Sequence, residues 1–440
     1  MFLNKSLCFS NLHVNNIYLY IQNMNKYILF AIIISIFLLS CLFLFQLLNQ
    51  RNNIKSQYIL EKEEQKKIKM QNAIEGLSMP TIPTFNDTQT SESNNIATKI
   101  YNQLSTTNQL SSQNNNYPIK KLCTFSSWNT ACSGTFVSTD QIINVIASGC
   151  RMLHFTITNY GKQPMIFGNF TDNSGNGILL QDALQKTMDN AFNFSINLNT
   201  NSGKQTVNLN NYTDPLFVML SFKYFSTSDI EKYNKKMQEN PDQILANPYY
   251  SKKFFEKCAN IVKNIFNNRL HVDGNGDPIR IDSGVLKNQI NQKVIIITDI
   301  TGLNNSTNSY DHMKKLLKCS NIQAGVIDNG ILIYPFSDLI SNKIEDKNDN
   351  NLILAFPDKD KNQTVKKFIE CSFYQLVHFI PVLFYNTKSD SVVYNTNNDF
   401  VDIMKHFQEN NSAFLTFQNF QSNVLHPDSS TKATMGSYFS

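Results

Sequence analysis

Residues 125–170 read FSSWNTACSGTFVSTDQIINVIASGCRMLHFTITNYGKQPMIFGNF. From Thr139 to Ala147 the apolar residues recur with helical spacing, so this part is an amphipathic helix. It is followed by a Gly149-Cys150-Arg151 turn and two apolar runs rich in β-branched and aromatic residues, Met152–Ile157 and Pro164–Phe167, which read as strands. The same alternation continues outward. Further strand candidates are Leu216–Phe222, Lys293–Thr298, Ile331–Tyr334, Ile353–Phe356 and Val382–Tyr385, with helical connectors at Leu179–Phe192, Tyr250–Asn267, Asp311–Leu317 and Thr364–Cys371. Several of these strands are wholly apolar, as expected when both faces are covered by helices. Strands and helices in alternation imply an α/β fold with a mostly parallel sheet. Periodicity does not choose between a closed barrel and an open doubly wound sheet.

The order of motifs makes that choice. The stretch resembles the opening of a phosphatidylinositol-specific phospholipase C X domain, of the phospholipase-C-like phosphodiesterase superfamily. In that family a strand ends in a Ser-Ser-His-Asn-Thr type motif, followed by an amphipathic helix, a Gly-Cys-Arg turn, a strand carrying Glu and Asp, and a Pro-led strand ending in His. Ser126, Ser127, Asn129, Thr130, Gly149, Cys150, Arg151 and Pro164 keep that frame. Further along, Asp214–Lys223 resembles a Pro-led strand that finishes in Ser-x-Glu. Phe373–Pro381 is similar to a late Gln-Leu-Ser-Arg-Ile-Tyr-Pro segment, and Asn398–Phe417 looks like the closing helix and strand. The resemblance implies a TIM-type (β/α) barrel over residues 119–425. Polar inserts at Asn197–Thr213 and Gln238–Tyr249 read as surface loops.

The catalytic positions of the family are degenerate here. Cleaving a phosphodiester by attack of an inositol hydroxyl needs a general base, a general acid and cations to hold phosphoryl charge. The resemblance puts Trp128 at the first histidine, His154 at the first acidic calcium ligand, Thr156 at the Asp, Asn169 at or beside the second histidine and Lys223 at the later Glu. Asn129 is the only retained residue of calcium-ligand type. Tryptophan has no titratable group near neutral pH. A lysine where Ca²⁺ would sit repels it by on the order of several kcal/mol when poorly solvated. The expectation is therefore no intact catalytic residue, no metal and no cofactor, with Ca²⁺ disfavoured. Candidate ligand-pocket residues are Asn129, Arg151, His154, Thr156, Lys223 and Asp299, the last placed to orient His154. His378, inside an apolar run, reads as a structural side chain, and Asp273, Asn275 and Asp277 as a plain turn, because no Glu stands at the twelfth position of an EF-hand loop begun at Asp273.

Upstream of the barrel, Tyr27–Leu48 carries no charge and only Ser35, Ser40 and Gln46 as polar interruptions. That length of helix spans a hydrocarbon core of about 30 Å; a cleaved signal peptide is the competing reading. The organisation expected is an N-terminal segment 1–26, a transmembrane helix 27–48, a charged juxtamembrane helix and flexible polar linker 49–118, the barrel 119–425 and a tail 426–440. Lys26 on one side of the apolar run faces Arg51, Lys55, Lys62, Lys66 and Lys67 on the other. By the positive-inside rule the C-terminal domain of this single-pass protein then lies in the cytoplasm or the interior of an enveloped particle. Against this stand several sequons, including Asn86, Asn193, Asn211 and Asn362, which an Asn-rich chain also produces by chance.

Composition narrows the partners. Charged residues make up 17% of the 440, with net charge +5, too little basic patterning for a nucleic-acid partner. Eight cysteines show no CxxC pair or Cys/His metal spacing; Cys123 and Cys132 are close enough in sequence to pair, whereas Cys150 reads as a buried free thiol. Taken together, the sequence reads as a membrane-anchored, phospholipase-C-like barrel that is a pseudoenzyme, binding a phosphorylated lipid head group or a protein partner, or serving as structure. The alternative is a divergent phosphoric diester hydrolase with a rebuilt, calcium-independent site.

Overall fold

The computed structural model describes residues 110–133, 136–167, 177–200, 203–281, 284–301, 308–325, 330–341, 351–357, 365–383 and 398–420. The expected transmembrane helix and most of the linker, 1–109, lie outside these, as does Asn169. Among the described residues no helix is long and apolar enough to cross a membrane.

The fold is mixed α/β. Eight strands form one parallel path: β1 (Ser126–Trp128), β2 (Met152–Tyr160), β3 (Leu216–Phe222), β4 (Val294–Asp299), β5 (Ile322–Ala324), β6 (Ile331–Pro335), β7 (Leu352–Phe356) and β8 (Val382–Leu383), in the order β7-β6-β5-β4-β3-β2-β1-β8. Every residue of β3 and β4 is buried, in keeping with their largely apolar sequences. Phe379, just ahead of β8, makes single parallel bridges to Leu354 of β7 and to Thr124 beside β1. Its neighbour His378 accepts from the Ile353 N–H through Nδ1 at 3.0 Å, and its Nε2 lies 2.9 Å from the Lys120 carbonyl, so that ring is structural.

Eight helices are described: α1 (Thr139–Ala147), α2 (Leu180–Ala191), α3 (Thr227–Glu239), α4 (Lys252–Phe266), α5 (Asn308–Leu317), α6 (Phe336–Ser341), α7 (Val365–Gln375) and α8 (Asn398–Glu409). The α1 helix is capped by Ser138, whose Oγ accepts from the Asp140 N–H at 3.0 Å, and it buries Ile142, Ile143, Val145 and Ile146. It stops at Gly149, where φ is +93° and a Cβ would fall 2.2 Å from Leu110 Cδ1. The α4 helix buries Phe254, Phe255, Cys258, Ala259, Val262 and Phe266, a stripe at helical spacing that covers the sheet. Ser226 and Asp229 form a capping box at the start of α3, yet that helix buries none of its residues.

Three expectations are corrected, and two elements appear that periodicity did not reveal. The insert at Asn197–Thr213 is not a loop: Ser195–Thr200 and Gly203–Asn208 pair as an antiparallel hairpin, with Ile196 and Leu198 buried. The α3 helix and the short strand β5 carry too few apolar residues for periodicity to reveal them. The last strand, Phe414–Thr416, does not join the parallel path; it pairs antiparallel with Leu122–Thr124. The packed domain also begins ahead of residue 119, because residues 110–118 form a strap across the N-terminal ends of the strands.

Lys287 holds that strap. Its ammonium, fully buried, donates to Asp214 Oδ1 at 2.5 Å, the Gln113 carbonyl at 2.8 Å, Asn115 Oδ1 at 2.9 Å and Ser112 Oγ at 3.3 Å. Ser112 Oγ in turn donates to Asp214 Oδ1 at 2.6 Å. Burial pulls the Lys287 pKa down while Asp214 holds it up. All six described cysteines are buried and free, so Cys123 and Cys132 are unpaired.

Candidate functional site

The chemistry-bearing side chains gather where β1, β3 and β4 end, beside the body of β2. Parallel register sets Met219 beside His154 and Ser221 beside Thr156, and Leu220 beside Thr298, so Asp299 lies next to Ser221. Alternation along β2 and β3 turns His154, Thr156 and Ser221 to one face of the sheet. Phe222 turns the other way, into Tyr250, Phe254 and Phe255.

A directed chain of hydrogen bonds joins them. Asn129 follows β1 with φ +46°, a left-handed conformation that asparagine tolerates. Its backbone N–H donates to His154 Nδ1 at 3.2 Å. An accepting Nδ1 carries no proton, so the neutral ring holds its proton on Nε2. Nε2–H then donates to Ser221 Oγ at 2.9 Å, and Ser221 Oγ–H donates to Asp299 Oδ2 at 2.8 Å. The other carboxylate oxygen of Asp299 accepts from the Thr301 N–H at 2.9 Å and from Thr301 Oγ1 at 2.6 Å. Burial pushes His154 down to about 3, so the ring is neutral throughout the physiological range. On the other side of His154, its N–H donates to Thr130 Oγ1 at 3.0 Å, and its carbonyl accepts from the Thr130 N–H at 2.9 Å.

Trp128 closes the arrangement. Its indole lies flat on the His154 imidazole, with ring centroids 3.7 Å apart and an interplanar angle of 5°; Phe356 of β7 stands 6.3 Å away. His154 has no solvent exposure. The indole thus occupies the place above the histidine rather than lining an open mouth. Both nitrogens of His154 and both oxygens of Asp299 are engaged, so neither group is poised to take a proton from a substrate.

Asn129 keeps one unused capability. Its Oδ1 accepts from Thr156 Oγ1 at 3.0 Å, while its Nδ2, buried, has no hydrogen-bond partner. Lys223 follows β3, its N–H bonded to the Ile157 carbonyl at 2.9 Å and its carbonyl accepting from Tyr250 OH at 2.9 Å. Its Nζ lies 5.1 Å from the Phe225 ring centroid. Burial draws the Lys223 pKa below its ordinary value, with Asp229 opposing. An orphan amide donor and a half-buried cation suit an anion.

These residues do not fit calcium. Hard cations take several free oxygens. Here Asn129 Oδ1 and both Asp299 oxygens already accept hydrogen bonds, His154 offers only nitrogens, and Lys223 is a cation.

The sequence placed His154 and Lys223 near strand ends and Asp299 just after one; in the structure Asn129 and Lys223 follow β1 and β3 and Asp299 ends β4, whereas His154 and Thr156 lie in the body of β2. Arg151 is different. It precedes β2, at the opposite end, fully buried, with Nη1 donating to the Ala191 carbonyl at 2.7 Å and Nη2 to Asn211 Oδ1 at 3.0 Å and to the Asn211 carbonyl. Burial lowers it to about 10 against the pull of Asp214, so it is a packing cation and not a pocket residue. Asp299 orients His154 only through Ser221, which residue patterning missed; its signal was a single hydroxyl in the otherwise apolar run Leu216–Phe222. The Asp273 carboxylate accepts from the N–H groups of Asn275 and Asp277 at 2.9 and 3.0 Å, which makes that segment a turn.

No family model matches the sequence, and no curated protein sequence matches it. Among solved structures the chain is similar to the PLC21 of L. pealei (TM-score 0.45, 13% identity, 70% of this chain and 38% of that one) and of S. officinalis (0.44, 13%, 69% and 37%). It is also similar to a calcium-dependent phosphoinositol-specific phospholipase C from a Gram-negative Pseudomonas sp. (0.33, 10%, 62% and 92%). The chain spans under two fifths of the length of the first two.

Proposed function

We propose that this chain is a membrane-anchored, phospholipase-C-like (β/α) barrel that no longer cleaves phosphodiesters and instead binds a phosphorylated head group at the C-terminal ends of its strands. The observation that carries the reading is Trp128, stacked 3.7 Å from His154 where a base would need solvent and substrate. Barrel closure is supported by Phe379, which stands just ahead of β8 at one end of the parallel path and bridges Leu354 of β7 at the other. Anchoring rests on the apolar run Tyr27–Leu48. Binding without turnover is supported by the unpartnered Asn129 Nδ2, by the cation Lys223 just after β3, and by His154 and Asp299, whose ring nitrogens and carboxylate oxygens are already engaged.

The test uses the full chain in detergent or vesicles. Hydrolysis of phosphatidylinositol and of a soluble phosphodiester is measured with calcium and with chelator, and no turnover is expected in either. Binding of inositol phosphate is followed through the emission of Trp128, the sole tryptophan. Lys223→Ala should abolish it. Turnover that disappears in His154→Ala would instead establish a rebuilt, metal-free hydrolase. Absence of head-group binding would leave a protein partner or a structural role.

A further inference from the structure

Three sequons fall on described residues, at Asn193, Asn211 and Asn410, and the structure treats the first two oppositely. Asn193-Phe194-Ser195 lies at the exposed junction between α2 and the hairpin, with Phe194 53% exposed. Asn211-Tyr212-Thr213 lies under the strap, with Asn211 only 1% exposed. The Asn211 amide nitrogen, the atom to which a glycan would attach, donates to the Gly149 carbonyl at 3.1 Å. Its Oδ1 accepts from Arg151 at 3.0 Å, and its backbone carbonyl accepts from both the Arg151 guanidinium and the Asp214 N–H, the latter at 3.0 Å. Leu110 of the strap closes over Gly149.

N-glycans are attached to Asn-x-Ser/Thr acceptors, in large part on chains that have not yet folded. Burial in the finished fold therefore gives Asn211 no protection. A glycan there would push the asparagine out of its site, remove a partner from the fully buried Arg151 and open the seat of the strap. We infer that glycosylation of Asn211 is incompatible with this fold, so that the domain folds only where N-glycans are not transferred. The six buried, unpaired cysteines agree, since thiols met by an oxidising compartment before burial are open to mispairing. The inference is independent of whether the site binds a head group or cleaves one.

The test is topological. The full chain, extended at its C-terminus by a tag with an Asn-Gly-Thr acceptor, is translated with endoplasmic-reticulum microsomes and treated with endoglycosidase and external trypsin. Expected are an unmodified tag, unmodified Asn193 and a trypsin-resistant domain outside the vesicle. In a second form Arg51, Lys55, Lys62, Lys66 and Lys67 are replaced by Gln and lysines are added ahead of Tyr27, which drives the domain into the lumen; Asn410→Gln is included in both forms, because Asn410-Asn411-Ser412 is also an acceptor and its amide nitrogen donates to the His406 carbonyl. There the tag, Asn193 and Asn211 should be glycosylated and the domain should aggregate, and adding Thr213→Ala should restore a soluble, trypsin-resistant domain with one glycan fewer. A folded lumenal domain that retains Thr213, with or without a glycan on Asn211, overturns the inference. So does aggregation that Thr213→Ala leaves unchanged.

Discussion

Replacing Lys287 by Met removes the ammonium and keeps most of the side chain's volume. Asp214 then remains as a carboxylate with no solvent exposure, holding one hydrogen bond, from Ser112 to Oδ1, while its Oδ2 has no partner even in the parent chain. Gln113 and Asn115 lose a charged donor at 2.8 and 2.9 Å. Breaking a buried ion pair from one side costs about 3–5 kcal/mol. Against a total stability of about 5–15 kcal/mol that is a large fraction. Urea unfolding followed by Trp128 emission and by circular dichroism measures it. The double variant Lys287→Met/Asp214→Leu, which removes both charges, should recover most of the loss, because an apolar pair of similar volume is about as stable as the ion pair. A chain begun at residue 119 should be destabilised like the single variant, having lost three of the four acceptors of Lys287. A single-variant cost below about 1 kcal/mol, the range of exposed pairs, would refute the reasoning. So would a double variant as weak as the sum of the two singles.

Two further outcomes are expected. His154 is held near 3, below its ordinary 6.5, so the unfolded chain takes up the proton first as pH falls. Its contribution is complete above pH 6.5 and is lost between there and about 3, at about 1.4 kcal/mol per pH unit. His154→Gln should flatten the dependence of urea midpoint on pH in that window, while His406, pushed to about 4 by burial, keeps its share in both proteins. Gly149→Ala places a Cβ 2.2 Å from Leu110 Cδ1 at φ +93°, and should cost about 1–3 kcal/mol by thermal or urea unfolding. Leu110→Ala in the same chain relieves the clash but not the dihedral, so the two substitutions together should cost less than their sum.

What could be read from the sequence alone was local or positional. The apolar spacing of α1 and α4, and the mostly apolar runs of β3 and β4, are local signals, and the described elements match them to within a residue or two. That residue 128 carries no titratable group and residue 223 a cation was legible for the same reason, since each needs only the identity of one residue. Tertiary structure alone decided the rest. Ser221 becomes the link between His154 and Asp299 across separations of 67 and 78 residues, distances over which no periodicity carries information. Arg151 fits the frame by sequence but lies at the other end of its strand, because the residue preceding a parallel strand faces the opposite end of the sheet from the residue following it. The strap read as linker because its residues are polar. Its order comes from the buried Lys287–Asp214 pair, which joins residues 112–115 to two other parts of the chain.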